Sequence, residues 1–182
     1  MTLRRRGFLA LPLVAVATRA SAQKLQMPPS MSATWYGVQV EDNVFTVQMP
    51  GVPDHRIVND VSARGTAFRL HSYSLDAGGF SYVAQSATYP GDVDADPRGI
   101  LQSAIDARAK SLEGGKWSKV DWRQVQGANA VETTGPVRGG NALRALVLLK
   151  RRAFVSLAFL GDAASVNGRE AERFFSSLKL MT

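Results

Sequence analysis

The chain has 182 residues, which is enough for one domain with a sizeable hydrophobic core. It contains no cysteine, which excludes a disulfide framework, a lipid-attachment cysteine and any thiolate site. The formal net charge of +7 includes four arginines of a predicted leader at residues 1–22 and falls to +3 without them. Such a charge is a weak argument for nucleic-acid binding, and we expect none.

Residues 1–22 have the three parts of an export signal. A basic head is followed by an apolar run of about ten residues and by small residues ending at Ala22, after which we predict cleavage. A membrane span needs roughly twenty apolar residues, so no stable span is expected after cleavage and the predicted location is the periplasm. We predict the twin-arginine route, because Arg5, Arg6, Phe8 and Leu9 match its pattern, and the general secretory route is the alternative.

The rest of the chain is predicted to be a flexible lead-in at residues 23–33 and a single domain at residues 34–182. Met, Pro and Ser dominate the lead-in without periodicity. In the domain, apolar and polar side chains first alternate as they do in half-buried strands, most clearly at Phe45, Val47 and Met49. The strands predicted here are 35–40, 43–49, 55–64 as an edge strand, 66–76 and 80–89.

A helix is predicted to begin after Asp96, because Asp is a favoured N-cap and Pro97 suits the first helical position. Its apolar stripe recurs at helical spacing. Gly114 and Gly115 are predicted to end it. The stripe consists of Ile100, Leu101, Ala104, Ile105, Arg108 and Leu112.

The most apolar stretch, residues 141–160, predicts a buried β-hairpin. Its first arm has Leu143, Ala145, Val147 and Leu149 on one face and Leu146 and Leu148 on the other. A strand that is apolar on both faces is usually central in its sheet. Two strands at 119–125 and 128–134 precede this hairpin, around a turn at Gln126 and Gly127.

A last helix is predicted after Gly168, and Leu180 closes its apolar pattern. Its buried side is Ala171, Phe174, Phe175 and Leu178. Two amphipathic helices must cover an apolar surface, and the hairpin-connected strands offer one. The predicted fold class is therefore α+β, with a twisted, mostly antiparallel sheet flanked by two amphipathic helices.

Two short segments carry a family resemblance. FTVQMPGVP at residues 45–53 and FFSSLKL at residues 174–180 follow the patterns F-x-V-x-x-P-G-x-P and F-x-x-S-x-K/R-L. With the order of elements between them, the chain resembles small exported bacterial proteins and the PsbP-like superfamily, which includes PsbP, DcrB-type envelope proteins and a Ran-binding nuclear-import factor. The resemblance covers residues 45–180. It implies a PsbP-like α/β/α sandwich acting as a binding or accessory module, with no catalytic motif to carry over.

Three alternating carboxylates, Asp92, Asp94 and Asp96, match the opening of a calcium-binding loop. The match then fails, because Pro97 stands where that loop needs Gly and Ser103 where it needs a bidentate Glu. We expect a solvated loop in which Asp96 caps the helix. Weak calcium binding by the loop is the alternative.

The sequence indicates no catalytic residue, metal site or cofactor. The chain has two histidines, His55 and His71, and we expect His71 to be a sheet-surface residue rather than a metal ligand. No Gly-x-Ser-x-Gly nucleophile elbow is present.

The candidate interaction surface consists of Lys150, Arg151 and Arg152 at the hairpin turn, with Trp122 as a second candidate. Adjacent cations on a tight turn raise the local potential and suit an acidic partner or anionic lipid head groups. Arg138 and Arg144 are expected to lie near this turn. Trp122 is a large amphipathic side chain in an otherwise polar strand, as at many interfaces.

These observations favour a non-enzymatic accessory protein of the cell envelope that acts through an envelope protein partner. The alternatives are a carrier that binds an apolar or anionic small molecule between the sheet and a helix, and a hydrolase with an unrecognised site. The oligomeric state stays open.

Overall fold

The computed structural model describes residues 34–40, 44–61, 67–89 and 96–181. The predicted leader, the lead-in, and Asp92 and Asp94 lie outside the described residues. The β-strands are β1 Tyr36–Gln39, β2 Phe45–Met49, β3 Asp54–Val61, β4 Ala67–Ala77, β5 Phe80–Thr88, β6 Lys119–Val125, β7 Ala128–Val137, β8 Asn141–Lys150, β9 Ala153–Asp162 and β10 Lys179–Leu180. The α-helices of the described part are α1 Pro97–Ala109 and α2 Arg169–Ser176.

The predicted central hairpin is β8 and β9. The large sheet has the order β3-β4-β5-β9-β8-β7-β6, so β9 and β8 lie in its interior and every neighbouring pair is antiparallel. The predicted α+β class and antiparallel sheet are confirmed. A second sheet of order β1-β2-β10 is an addition to the single sheet that the sequence predicts.

The two faces of the large sheet carry separate cores. On one face Leu146 and Leu148 of β8 pack with Phe174 of α2 and with the small sheet. On the other, Val147 and Leu149 pack with the apolar stripe of α1. Because successive strand residues point to opposite faces, the alternation in β8 supplies both cores at once.

Helix α1 begins as predicted but ends earlier. Asp96 is its N-cap, and its Oδ1 accepts a hydrogen bond from the Gly99 amide at 2.8 Å. The helix ends at Ala109, before Gly114. Leu112 is buried, but it belongs to the connection after the helix and not to the helix itself. A local apolar pattern does not distinguish these cases, since both bury the same side chain.

Replacing Asp96 with alanine is expected to lower the free energy of unfolding by about 1 kcal/mol, because the Gly99 amide loses its acceptor. Urea denaturation measures the effect. Asp96→Ser, which keeps a capping oxygen, is the matched control and should lose less than half as much. Equal losses for the two variants would contradict the capping role.

The C-terminal segment differs from the prediction. Helix α2 ends at Ser176, and the chain then extends so that Lys179 and Leu180 pair with Thr46 and Phe45 of β2. Leu180 is thus a strand residue rather than the close of a helical pattern. This short strand brings the end of the domain beside the β8–β9 turn.

Candidate functional site

The β8–β9 turn holds an unusual backbone conformation. Lys150 pairs with Ala153, which leaves Arg151 and Arg152 as a two-residue turn, and Arg151 has a φ of 53°. This left-handed region costs a residue with a side chain about 1–2 kcal/mol relative to an ordinary conformation. The turn therefore keeps a long cation at a position that glycine would occupy without strain.

A second left-handed residue, Gln126 in the β6–β7 turn, uses its side chain for structural hydrogen bonds, whereas Arg151 does not. The Gln126 amide donates to the Leu178 carbonyl at 2.7 Å and accepts from the Leu180 amide at 2.9 Å. These bonds fasten the β6–β7 turn to the C-terminal strand. Arg151 is exposed and has no ion pair or hydrogen bond from its side chain to the described residues.

The other two cations of the turn differ from each other. The Arg152 Nε donates to the Tyr89 carbonyl at 2.7 Å, and the Arg152 carbonyl accepts from the Tyr89 amide at 2.9 Å. Lys150, like Arg151, pairs with no carboxylate of the described residues. Arg152 thus holds the turn in place, while no carboxylate of the described residues compensates the charges of Lys150 and Arg151.

A cavity of about 340 Å³ opens beside this turn, between the large sheet and β10. Its floor is apolar and its rim is basic. Cavities of this volume accept small ligands or single peptide side chains. We call it the hairpin groove; its lining residues are Val44, Thr88, Leu148, Lys150, Arg151, Arg152, Ala153, Val155, Leu180 and Met181.

The groove combines residues that the sequence predicted with others that it did not. Lys150, Arg151 and Arg152 come together at the rim as predicted. Leu180 and Met181 were not predicted there, and they reach the groove because the Met181 amide donates to the Val44 carbonyl at 2.9 Å. No local pattern signals this long-range pairing.

Trp122 does not join the groove. It lies on β6, the edge strand of the large sheet, and packs against the α1 core on the opposite face. The Arg98 guanidinium stands 4.8 Å from the centre of its ring. A role for Trp122 in a separate contact stays a prediction.

Arg144 and Arg138 are not near the basic turn, contrary to the prediction. Arg138 follows β7 and Arg144 lies near the start of β8, six residues from Lys150, which in a strand is about 20 Å. Arg144 is buried and bonds Glu132 at 2.6 Å and Glu172 at 2.5 Å. Burial by itself lowers the pKa of Arg144, but the hydrogen bonds and charges of Glu172 and Glu132 outweigh it and raise the pKa.

The two histidines form a stacked pair with Tyr73. His55 Nε2 and His71 Nδ1 are 3.3 Å apart, and the His55 and Tyr73 ring centres are 4.3 Å apart. His71 is only 8% exposed, so the prediction of a sheet-surface histidine was wrong: the stack covers it. The described residues hold no cluster of three or more His, Cys, Asp or Glu suited to a metal. Calcium binding at Asp92 and Asp94 is untested.

The fold has a counterpart among solved structures. The chain is similar to the solution structure of cyanobacterial PsbP (CyanoP) from Synechocystis sp. PCC 6803, with a TM-score of 0.50 and 10% sequence identity. The match covers 85% of this chain and 97% of the other. It confirms the PsbP-like fold that the sequence resemblance implied.

Comparisons of the amino-acid sequence with known proteins identify no relative of this chain. Protein-family models and curated proteins both give no match. Across the described ranges, neither helix has the length and apolar character to cross a membrane. Export, cleavage after Ala22 and a periplasmic location stay predictions.

Proposed function

We propose that this PsbP-like domain is an exported, non-enzymatic accessory protein of the cell envelope, and that it binds an acidic segment of a partner protein in the hairpin groove. The observation that carries the proposal is the pairing of an apolar floor with two uncompensated cations at the rim. Apolar side chains of the segment would be buried against Leu180 and Met181, above a floor formed by Leu148 and Val155. Its carboxylates would meet Lys150 and Arg151.

The strain at Arg151 supports this role. A two-residue hairpin turn requires a left-handed residue, which is usually glycine or asparagine, so an arginine at this position gives up stability. An exposed guanidinium that is held out from a rigid hairpin raises the positive potential at the groove mouth and favours encounter with an acidic partner. Glycine at this position would relieve the strain but remove the charge.

The composition of the groove supports binding rather than catalysis. Its described lining residues include one hydroxyl, Thr88, and no carboxylate, imidazole or thiol. Nucleophilic catalysis needs a nucleophile within hydrogen-bond reach of a base, and this set supplies no such pair. Export is supported by the three-part signal at residues 1–22.

Site-specific photocrosslinking in the producing cell tests the proposal. A photoreactive amino acid at Met181, inside the groove, should give a discrete adduct of protein size. The same probe at Val52, which is 79% exposed and remote from the groove, is the control and should give none. The Met181 adduct should disappear with Lys150→Glu combined with Arg151→Glu; an unchanged adduct would overturn the proposal.

Arg151→Gly separates binding from stability. We expect it to weaken the crosslinked complex about fivefold, because one rim charge is lost, and to raise the free energy of unfolding by up to about 1 kcal/mol, because the strain is relieved. Urea denaturation and crosslink yield give the two numbers. A stability gain with undiminished crosslinking would mean that Arg151 is dispensable for the partner.

A small-molecule carrier is the second candidate, because a cavity of about 340 Å³ also falls in the range of small-ligand sites. Native mass spectrometry of the exported protein distinguishes the two functions. A reproducible added mass of a few hundred daltons, with no protein adduct at Met181, would favour the carrier.

A further inference from the structure

A line of polar side chains runs across three neighbouring strands of the large sheet, β4, β5 and β9, on the face that α1 packs against. Gln85 of β5 lies opposite Ser72 of β4 on one side and opposite Ser156 of β9 on the other. The Gln85 Nε2 donates to the Ser72 Oγ at 3.3 Å, and the Arg108 Nη2 of α1 donates to the Ser156 Oγ at 3.1 Å. Three polar side chains of the sheet and one of α1 thus lie together at this face.

Arg108 carries a buried charge without a counter-ion in the described part of the chain. It is 8% exposed, its described bond is the one to Ser156, and its Nη1 has no partner among the described residues. Burial lowers the pKa of Arg108 to about 10, so the guanidinium is still protonated at neutral pH. Buried charges are normally paired, because an unpaired one loses its hydration without replacement.

Arg144 shows what a paired buried arginine looks like in this same protein. It bonds two glutamates and donates to the Val166 carbonyl at 3.3 Å. Arg108 has one serine hydroxyl in place of all these acceptors. Arg108 Nη1 therefore lacks an acceptor of the kind that Arg144 has.

Gln85 is also incompletely bonded, but as oriented it has an acceptor without a donor; only with its amide turned would it, like Arg108, have a donor without an acceptor. It is 4% exposed, and its Oε1 has no partner in the described residues. Whichever way the amide is oriented, one of its polar atoms is left over once Ser72 is bonded. Arg108 and Gln85 both meet Ser156, one through its hydroxyl and one as its cross-strand neighbour, so the two deficiencies adjoin.

The polar line borders a half-open apolar strip. Along β9 the same face continues from Ser156 through Ala158 to Leu160, about 13 Å in a strand. Leu160 lies opposite Leu143 of β8, and Ala158 lies opposite Val83 of β5. Leu143, Leu160 and Val83 are all only partly buried, so the strip is accessible where α1 no longer covers the sheet.

We infer that the space between α1 and the β5–β9 pair binds a small organic carboxylate, with its carboxylate on Arg108 and Ser156 and its apolar tail along Val83, Leu143 and Leu160. The site is independent of the hairpin groove, because Val155 lines the groove and the next residue, Ser156, faces the other side of the sheet. A carboxylate oxygen supplies the acceptor that Nη1 lacks. The apolar strip would contact a hydrocarbon tail, which an inorganic ion lacks.

Calorimetric titration with octanoate tests the inference, using residues 23–182, the chain without its predicted leader. Octanoate should bind, while acetate, which lacks the tail, and octan-1-ol, which lacks the charge, should each bind at least tenfold more weakly. Inorganic phosphate should also bind at least tenfold more weakly. Absence of octanoate binding at millimolar concentration, or phosphate binding as tight as octanoate, would overturn the assignment.

Variants place the ligand. Arg108→Met should weaken octanoate binding at least tenfold, and Arg151→Gly, the control at the hairpin groove, should leave it unchanged. If Arg151→Gly weakened octanoate binding and Arg108→Met did not, the carboxylate would bind in the hairpin groove and the inference would be wrong. If Arg108→Met fails to fold, Arg108→Lys decides: a point charge without the planar guanidinium should bind octanoate severalfold more weakly, and unchanged binding would contradict a role for Arg108.

Discussion

Replacing Phe174 with alanine is expected to lower the free energy of unfolding by about 3–5 kcal/mol. Phe174 lies on the sheet-facing side of α2 and is fully buried. Its ring makes an edge contact with Tyr82, with 5.4 Å between the ring centres, and lies 5.3 Å from the ring centre of Phe175. The truncation removes apolar area from the core and leaves a cavity that the rigid sheet beneath cannot fill.

Urea denaturation followed by tryptophan fluorescence measures this loss. Val52→Ala is the control, because Val52 is exposed and its truncation should change the free energy of unfolding by less than about 0.5 kcal/mol. A domain of this size has a total stability of about 5–15 kcal/mol, so the Phe174 variant should be close to unfolding at elevated temperature. A loss below about 1 kcal/mol would mean that α2 does not cover the sheet.

Replacing Arg144 with methionine is expected to cost about 2–4 kcal/mol. Arg144 of β8 joins Glu132 of β7 to Glu172 of α2, and its guanidinium also stands 4.6 Å from the ring centre of Phe175. Methionine keeps the buried stem but leaves both carboxylates without this partner. The loss is smaller than for a fully buried pair, because Glu172 is mostly exposed and Glu132 keeps its ion pair with Arg123.

Arg138→Met, which removes an exposed cation from the β7–β8 turn, is the matched control and should be nearly neutral. A double-mutant cycle with Glu172→Gln isolates the bond between β8 and α2. Coupling of about 1 kcal/mol or more between Arg144 and Glu172 is expected. Equal losses for Arg144→Met and Arg138→Met would show that the network does not fasten α2 to the sheet.

The two proposed sites can be altered independently because they occupy opposite faces of β9. Val155 contributes to the hairpin groove, whereas Ser156 contributes to the polar line under α1. A change to the rim charge at Arg151 therefore leaves the α1 face untouched, and a change at Arg108 leaves the groove untouched. The tests of partner binding and of carboxylate binding can thus fail separately.

Much of the fold was predictable because strands and helices carry their burial pattern along the chain. The alternation in β2, the double-sided apolar pattern of β8 and the cap at Asp96 each depend on residues that are close in sequence. Neighbouring strands joined by short turns, such as β8 and β9, pair almost by necessity. The basic rim of the hairpin groove was predictable for the same reason, since its three cations are consecutive.

Other features were mispredicted because a sequence pattern shows which residues are buried but does not show which parts of the chain cover them. Leu112 continues the apolar stripe of α1, yet it is a buried residue of the connection that follows the helix. His71 lies near Arg69 and Ser72 in sequence, yet it is buried and the ring of His55, which also stacks on Tyr73, stacks on it. Arg144 resembles one more cation of a basic turn, yet its carboxylates come from a neighbouring strand and a helix.

The sequence by itself determined the α+β class, the central hairpin and the positions of the free cations, because these depend on local periodicity and on the types of adjacent residues. Only the tertiary structure decided that Leu180 pairs with Phe45 to form the wall of the groove, and that Arg108 meets Ser156 from 48 residues away. Pairing between distant segments depends on how the whole chain packs, and no window of neighbouring residues encodes it. Both proposed sites form at such long-range contacts.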